Sequence, residues 1–161
     1  LLPLAFPERA DAVRRLPLPL LAGIHAAVLW LWHAPPVYDV AIRGAVPYWT
    51  MQASLLASAV FLWCRILAPR MQAGPALLAL LATVVQMGML GALLTFAQRP
   101  LYAPHVLTTA PFGLSPLEDQ QLAGLIMWVP AALPYIAAAL WRLWAWPGEE
   151  GQRRTRPVGG S

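Results

Sequence analysis

Residues 75–97, PALLALLATVVQMGMLGALLTFA, carry no charged side chain. A helix crossing ~30 Å of hydrocarbon at 1.5 Å per residue needs ~20 apolar residues, and only backbones that pair their own donors and acceptors survive there. The stretch therefore predicts a membrane-spanning helix, and three more qualify. They are PLPLLAGIHAAVLWLWHA at 17–34, which is short, YWTMQASLLASAVFLWCRIL at 48–67, and a segment whose apolar part begins near Leu122 and ends at Trp146. The last contains Pro130 and Pro134, each of which removes a backbone donor and implies a kink. The expected fold is an all-α, polytopic membrane helix bundle with four transmembrane helices. Residues 1–16 form an N-terminal segment, and residues 17–146 the membrane domain, with spans at about 17–34, 48–67, 75–97 and 116–146. The polar, Gly-rich tail 147–161 is expected to be disordered.

Composition supports this class. The chain is 59% hydrophobic and 11% charged, whereas soluble domains are typically ~25% charged. All eleven basic residues are arginine and the net charge is +4. Arg9, Arg14, Arg15, Arg65, Arg70, Arg142, Arg153, Arg154 and Arg156 fall on one side of the expected bundle, and only Arg43 and Arg99 on the other. That bias predicts cytoplasmic termini, with loops 35–47 and 98–121 facing outward. Trp63, Trp141, Trp144 and Trp146 mark the inner interface, and Trp30, Trp32, Tyr48, Trp49 and Tyr102 the outer. The arginines form no stripe with interleaved aromatics, which argues against nucleic acid. The single cysteine, Cys64, excludes a disulfide framework and a C-x-x-C pair. No phosphate loop, catalytic triad spacing or H-E-x-x-H occurs. Gly88, Gly91 and Ala92 permit close helix contact.

The polar residues sort by depth. His33 closes the first span, His105 lies in the second outer loop, and Asp119 stands at the mouth of the fourth span, so three distant parts of the chain converge on one face. His25 sits mid-span, eight residues before His33. The two imidazoles are then roughly 80° apart and ~12 Å along the axis, too far to share a small ion unaided. An ionisable group at that depth is either a functional residue or a neutral imidazole bonded to a neighbouring helix. Met51 and Met127 near outer helix ends, with Met87 and Met89 mid-span, add thioethers that with imidazole suit Cu(I); methionine also fills gaps in apolar bundles.

The segment LSPLEDQQLAGLIMW, 114–128, begins as a helix start. Ser115, Pro116 and Glu118 make S-x-x-E with proline at the first helical position, and Glu118 and Asp119 put negative charge at the positive helix end. Asp119, Ala123 and Met127 recur every four residues and share a face, with Gln120 and Gly124 on the next stripe. Two readings remain for this face: a hydrogen-bond clamp fixing the helix, or part of an outward-facing ligand site.

Three segments, WLWHAPPVYDVAI, GALLTFAQRPLYAPH and LSPLEDQQLAGLIMWVP, resemble in sequence and in order those of the caa3-type cytochrome c oxidase assembly factor family, CtaG-like membrane proteins. The resemblance covers roughly residues 20–146. The matching positions are His33, Pro35, Tyr38, Tyr102, Asp119, Gln120, Gly124, Met127 and Trp128, with Ala123 where a glycine is common. Two departures stand out. Trp49 and Gln52 occupy a region where many members carry histidines, and no H-M-x-x-H-type segment precedes residue 17. Together with the start at Leu1, this predicts that a segment is missing upstream.

The resemblance implies a plasma-membrane accessory factor, not an enzyme, that assists assembly of a haem–copper cytochrome c oxidase by handling or delivering copper as Cu(I). The expected metal residues are His33, His105, Met127 and His25, with Asp119, Gln120, Tyr38 and Tyr102 as supporting polar groups. The expected partners are the lipid bilayer, oxidase subunits and other copper chaperones. Two alternatives remain: a small transporter or channel-like subunit with His25 and Gln86 along a polar path, and a metal-free scaffold for oxidase subunits.

Overall fold

The computed structural model describes residues 16–69 and 71–154. The N-terminal segment through residue 15 and the last seven residues of the tail lie outside the described residues. Among the described residues five α-helices occur in order: α1 (Leu18–His33), α2 (Pro35–Ile42), α3 (Ala45–Ile66), α4 (Ala73–Thr95) and α5 (Pro116–Arg154). Two short 3₁₀ turns, Ala103–Leu107 and Ala110–Phe112, form the connection between α4 and α5. No strand occurs among the described residues, so the chain is all-α.

Among the described residues, three helices are long and apolar enough to cross a membrane on their own: α3, α4 and the Pro116–Trp144 part of α5. The first expected span, 17–34, coincides with α1 within one residue at each end and is short. With 16 residues, α1 extends only ~24 Å and reaches spanning length only together with α2, from which it is bent by 75°. The cause is local. Ala34 precedes a proline and is forced into extended backbone, with φ −66 and ψ 124, and the Pro35–Pro36 pair then starts a new helix in place of the outer loop expected there.

The other helices differ from their sequence bounds, α3 and α4 starting and ending earlier and α5 ending later. Gly44 lets α3 begin at Ala45, and α4 begins at Ala73. Helix α5 passes through Pro130 and Pro134 without interruption and continues to Arg154, past the expected end of the span at 146.

Helix α4 sits at the centre. Its buried residues, from Ala73 through Ala76, Leu80, Thr83, Met87 and Leu94, recur at three- and four-residue steps and form one stripe. Its main partner is α5, and α1 packs between α3 and α4. Leu18, Leu62, Ile66, Leu80, Ala132 and Tyr135 belong to one continuous core. Leu56, Leu78, Leu81, Leu133 and Leu140 point outward and stay exposed, the pattern of a bundle whose solvent is lipid.

Backbone approach between α4 and α5 is set by glycine. A Cβ added at Gly124 would meet Thr95 Oγ1 at 2.6 Å and the Gly91 carbonyl oxygen at 2.8 Å, and one at Gly91 would meet Trp128 Cβ at 2.8 Å. Side-chain bonds tie α1 to both neighbours. Trp32 Nε1 donates to Ser54 Oγ at 2.8 Å and Trp30 Nε1 to Gln86 Oε1 at 2.9 Å. At the end opposite the α4–α5 connection, Arg142 is buried and donates to the carbonyls of Met71 (3.2 Å), Ala68 (3.2 Å) and Ile66. It satisfies carbonyls that the C-terminus of α3 leaves without helical partners. From sequence, Arg142 reads only as an interfacial arginine.

Candidate functional site

Where α1 ends, α2 begins and α4 meets α5, a cavity of about 420 Å³ opens at one end of the bundle. His33, Tyr38, Tyr102, His105, Asp119, Gln120 and Met127 all line it, with Leu29, Leu94, Pro116 and Ala123 completing the wall. Four separate stretches of chain thus contribute to one concave surface.

The arrangement follows from how each helix ends. His33 is the last residue of α1, and its Nδ1 lies 2.7 Å from the Leu29 carbonyl oxygen. A carbonyl only accepts, so Nδ1 carries the proton and Nε2 keeps the lone pair. Tyr102, just before the first 3₁₀ turn, donates its hydroxyl to the His33 carbonyl at 2.7 Å. Burial, and then the neighbouring Tyr38, push the Tyr102 phenol up to about 12, so it remains a donor throughout the physiological range.

His105 is held from two sides. Its Nε2 lies 3.0 Å from the Tyr38 hydroxyl, and its ring stacks on Tyr38 with centroids 5.7 Å apart. Its Nδ1 is 3.9 Å from Asp119 Oδ2, beyond hydrogen-bond range and within ion-pair range when the imidazole is protonated. The two tyrosine rings meet edge to face at 4.9 Å.

The polar start of α5 divides by task. Ser115 N–H donates to Glu118 Oε2 at 2.8 Å and Glu118 N–H to Ser115 Oγ at 3.3 Å, a reciprocal capping box. Gln120 is buried; its Oε1 accepts from Leu101 N–H at 2.7 Å and its Nε2 donates to the Leu94 carbonyl at 3.3 Å. Gln121 Nε2 donates to the Ala97 carbonyl at 3.1 Å. The glutamines therefore clamp α5 to the end of α4 and its following loop. Asp119 takes no part in the clamp and faces the cavity beside His105.

His25 stands apart from this group. It is buried, with Nδ1 3.0 Å from Ser58 Oγ. Ser58 gives its one proton to the Leu55 carbonyl, so His25 Nδ1 donates and the pair pins α1 to α3. The structure does not bring His25 to the cavity with the other three metal candidates, because its helical phase turns it toward α3. Gln86, the other residue of the imagined polar path, is bonded to Trp30 on a different interface. Leu29 belongs to the site's framework, and in sequence only its i−4 spacing from His33 points to it.

As ligand chemistry the cavity offers two imidazoles, a carboxylate and a thioether. Among the described residues no three His, Cys, Asp or Glu side chains are close enough to hold a metal ion together.

Comparison with curated proteins and with solved structures returns no match. The model of the family described as "Cytochrome c oxidase caa3 assembly factor (Caa3_CtaG)" matches residues 7–148, which takes in every residue that lines the cavity. The chain belongs to the cytochrome c oxidase caa3 assembly factor family.

Proposed function

We propose that this assembly factor holds Cu(I) as cargo in the cavity at the α4–α5 end and passes it on during maturation of a haem–copper oxidase. It works as a binding and delivery protein without catalysing a reaction. The observation that carries the reading is the His33 tautomer: the Leu29 carbonyl holds the proton on Nδ1, which leaves Nε2 as a lone-pair donor on a residue that lines the same cavity as Met127 and His105. Imidazole and thioether are the donors Cu(I) prefers, and low coordination suits an ion that must be released. Asp119, near His105 Nδ1, orients that imidazole when the ion takes the place of the Tyr38 hydroxyl at Nε2.

The membrane is the bacterial plasma membrane, with both termini cytoplasmic and the cavity facing outward. Support comes from the arginines, nine on the side of the termini against Arg43 and Arg99 at the cavity end. The oxidase subunits and a copper chaperone are the partners in this reading.

Competition titration of the purified protein against a Cu(I) chelator tests the cargo. One high-affinity ion is expected in the wild type, lost in His33→Ala and His105→Ala, and weakened about 10–100-fold in Asp119→Ala. Equal affinity in all four proteins would overturn the site, and no binding in any would leave the metal-free scaffold as the better reading. For orientation, a cysteine replacing the exposed Gln98 in a Cys64→Ser background should react with an impermeant reagent applied outside intact cells. Protection from outside with reaction after lysis would reverse the topology.

A further inference from the structure

The connection between α4 and α5 has an unusual surface. Residues 100–115, PLYAPHVLTTAPFGLS, include no Asp, Glu, Lys or Arg, and a loop in water rarely goes so far without a charge. Its apolar side chains are not folded away. Leu107 is 87% exposed, Phe112 81% and Val106 52%, while Tyr102 and His105 from the same turn face the cavity.

Many of this loop's backbone N–H positions are also provided for. Pro100, Pro104 and Pro111 have no N–H to satisfy. The N–H groups of His105, Thr108, Phe112 and Gly113 donate within the two 3₁₀ turns, to Tyr102, His105, Thr109 and Ala110 at 2.9–3.3 Å. Leu101 N–H is taken by Gln120 and Ser115 N–H by Glu118. Internal pairing of this kind is what a non-helical segment needs where water is scarce.

From these two independent features we infer that the α4–α5 connection is a membrane-surface element. Val106, Leu107 and Phe112 enter the boundary between lipid headgroups and acyl chains. The occupant of this face is the lipid surface. A few protruding side chains, Val106 and Leu107 set apart from Phe112 by residues 108–111, fit a deformable interface better than a shaped protein groove, and exposed Tyr48 and Trp49, at the start of α3 on the same end of the bundle, are the residue types that favour that depth. The cavity then opens at headgroup level, where a membrane-embedded partner meets it edge-on. The inference does not depend on what the cavity carries.

Nitroxide labels report this depth directly. In a Cys64→Ser background, single cysteines at Val106, Leu107 and Phe112 are labelled, with Arg43→Cys as an exposed reference. The protein is reconstituted alone into phosphatidylethanolamine–phosphatidylglycerol vesicles. The ratio of oxygen to aqueous nickel-chelate accessibility is expected to be severalfold higher at Leu107 and Phe112 than at Arg43. Ratios equal to the reference at all three sites would overturn the inference and leave a protein partner as the occupant. Circular dichroism identifies any labelled variant that misfolds, and the remaining sites decide the result.

Discussion

The Tyr102 hydroxyl donates to the carbonyl oxygen of His33 at 2.7 Å, a bond between residues 69 positions apart. It satisfies a carbonyl at the C-terminus of α1, where helical partners run out. It also ties the loop carrying His105 to the helix carrying His33. Two candidate ligands are thereby held in one frame by a residue that contributes no ligand atom.

Tyr102→Phe removes this bond and keeps the ring. The expected cost is about 1–2 kcal/mol, since the His33 carbonyl loses its partner. Thermal unfolding in detergent measures it. A Cu(I) titration of the same variant should show weaker binding with the stoichiometry unchanged. An unaltered melting curve would mean that water replaces the hydroxyl at no cost.

The raised Tyr102 pKa has a pH consequence of definite sign. The folded state, at about 12, holds the phenol proton more tightly than the unfolded chain, at 10.0. The resulting stabilisation is fully present below pH 10 and is lost as pH rises through 12. Phenolate absorbance at 295 nm should therefore show a late-titrating tyrosine that disappears in Tyr102→Phe. A complete titration near pH 10 in the folded wild type would contradict the burial of that hydroxyl.

Glycine-to-alanine changes should grade with the room at each site. Nothing lies within 4 Å of a Cβ at Gly23, and Trp128 Nε1 is 3.1 Å from one at Gly88. At Gly124 the neighbours include the Gly91 carbonyl at 2.8 Å, which moves only with its helix. Stability should be nearly unchanged in Gly23→Ala, slightly lower in Gly88→Ala, and about 1–3 kcal/mol lower in Gly124→Ala. Denaturant titration of the three ranks them, and a different order would place the α4–α5 crossing elsewhere.

The two glutamines of α5 should also separate. Gln120→Ala strands the Leu101 N–H and the Leu94 carbonyl, a loss of about 1–3 kcal/mol. Gln121→Ala strands only the Ala97 carbonyl, half-buried and closer to solvent, and should cost about 0.5–1.5 kcal/mol. Hydrogen exchange at Leu101 provides a local check, with faster exchange expected in Gln120→Ala alone.

His25→Ala should leave Cu(I) affinity at the wild-type value and lower stability by about 0.6–1.7 kcal/mol, the range for interhelical bonds in membranes. A loss of copper with retained stability would instead return His25 to the ligand set.

Much of this protein is determined along the chain itself. Helices at α3, α4 and α5 follow from apolar length, because a backbone in lipid has few other ways to pair its donors. The cap at Ser115 and Glu118 is equally local, a matter of three-residue spacing. The convergence of His33, His105 and Asp119 on one end follows from counting spans. The bend after His33 was also within reach, since Ala34 and the two prolines that cause it are adjacent in sequence.

Tertiary structure decided the rest. Helical phase can be read from sequence, but in an almost wholly apolar helix the phase does not reveal which neighbour a polar residue meets. His25 therefore faces Ser58 on α3 instead of joining His33, and buried Arg142 caps the end of α3. The same holds at the mouth of α5, where Asp119, Gln120 and Gln121 look alike in sequence. Only the 100° step between them, set against the positions of α4 and the loop, turns the glutamines to backbone and Asp119 to the cavity.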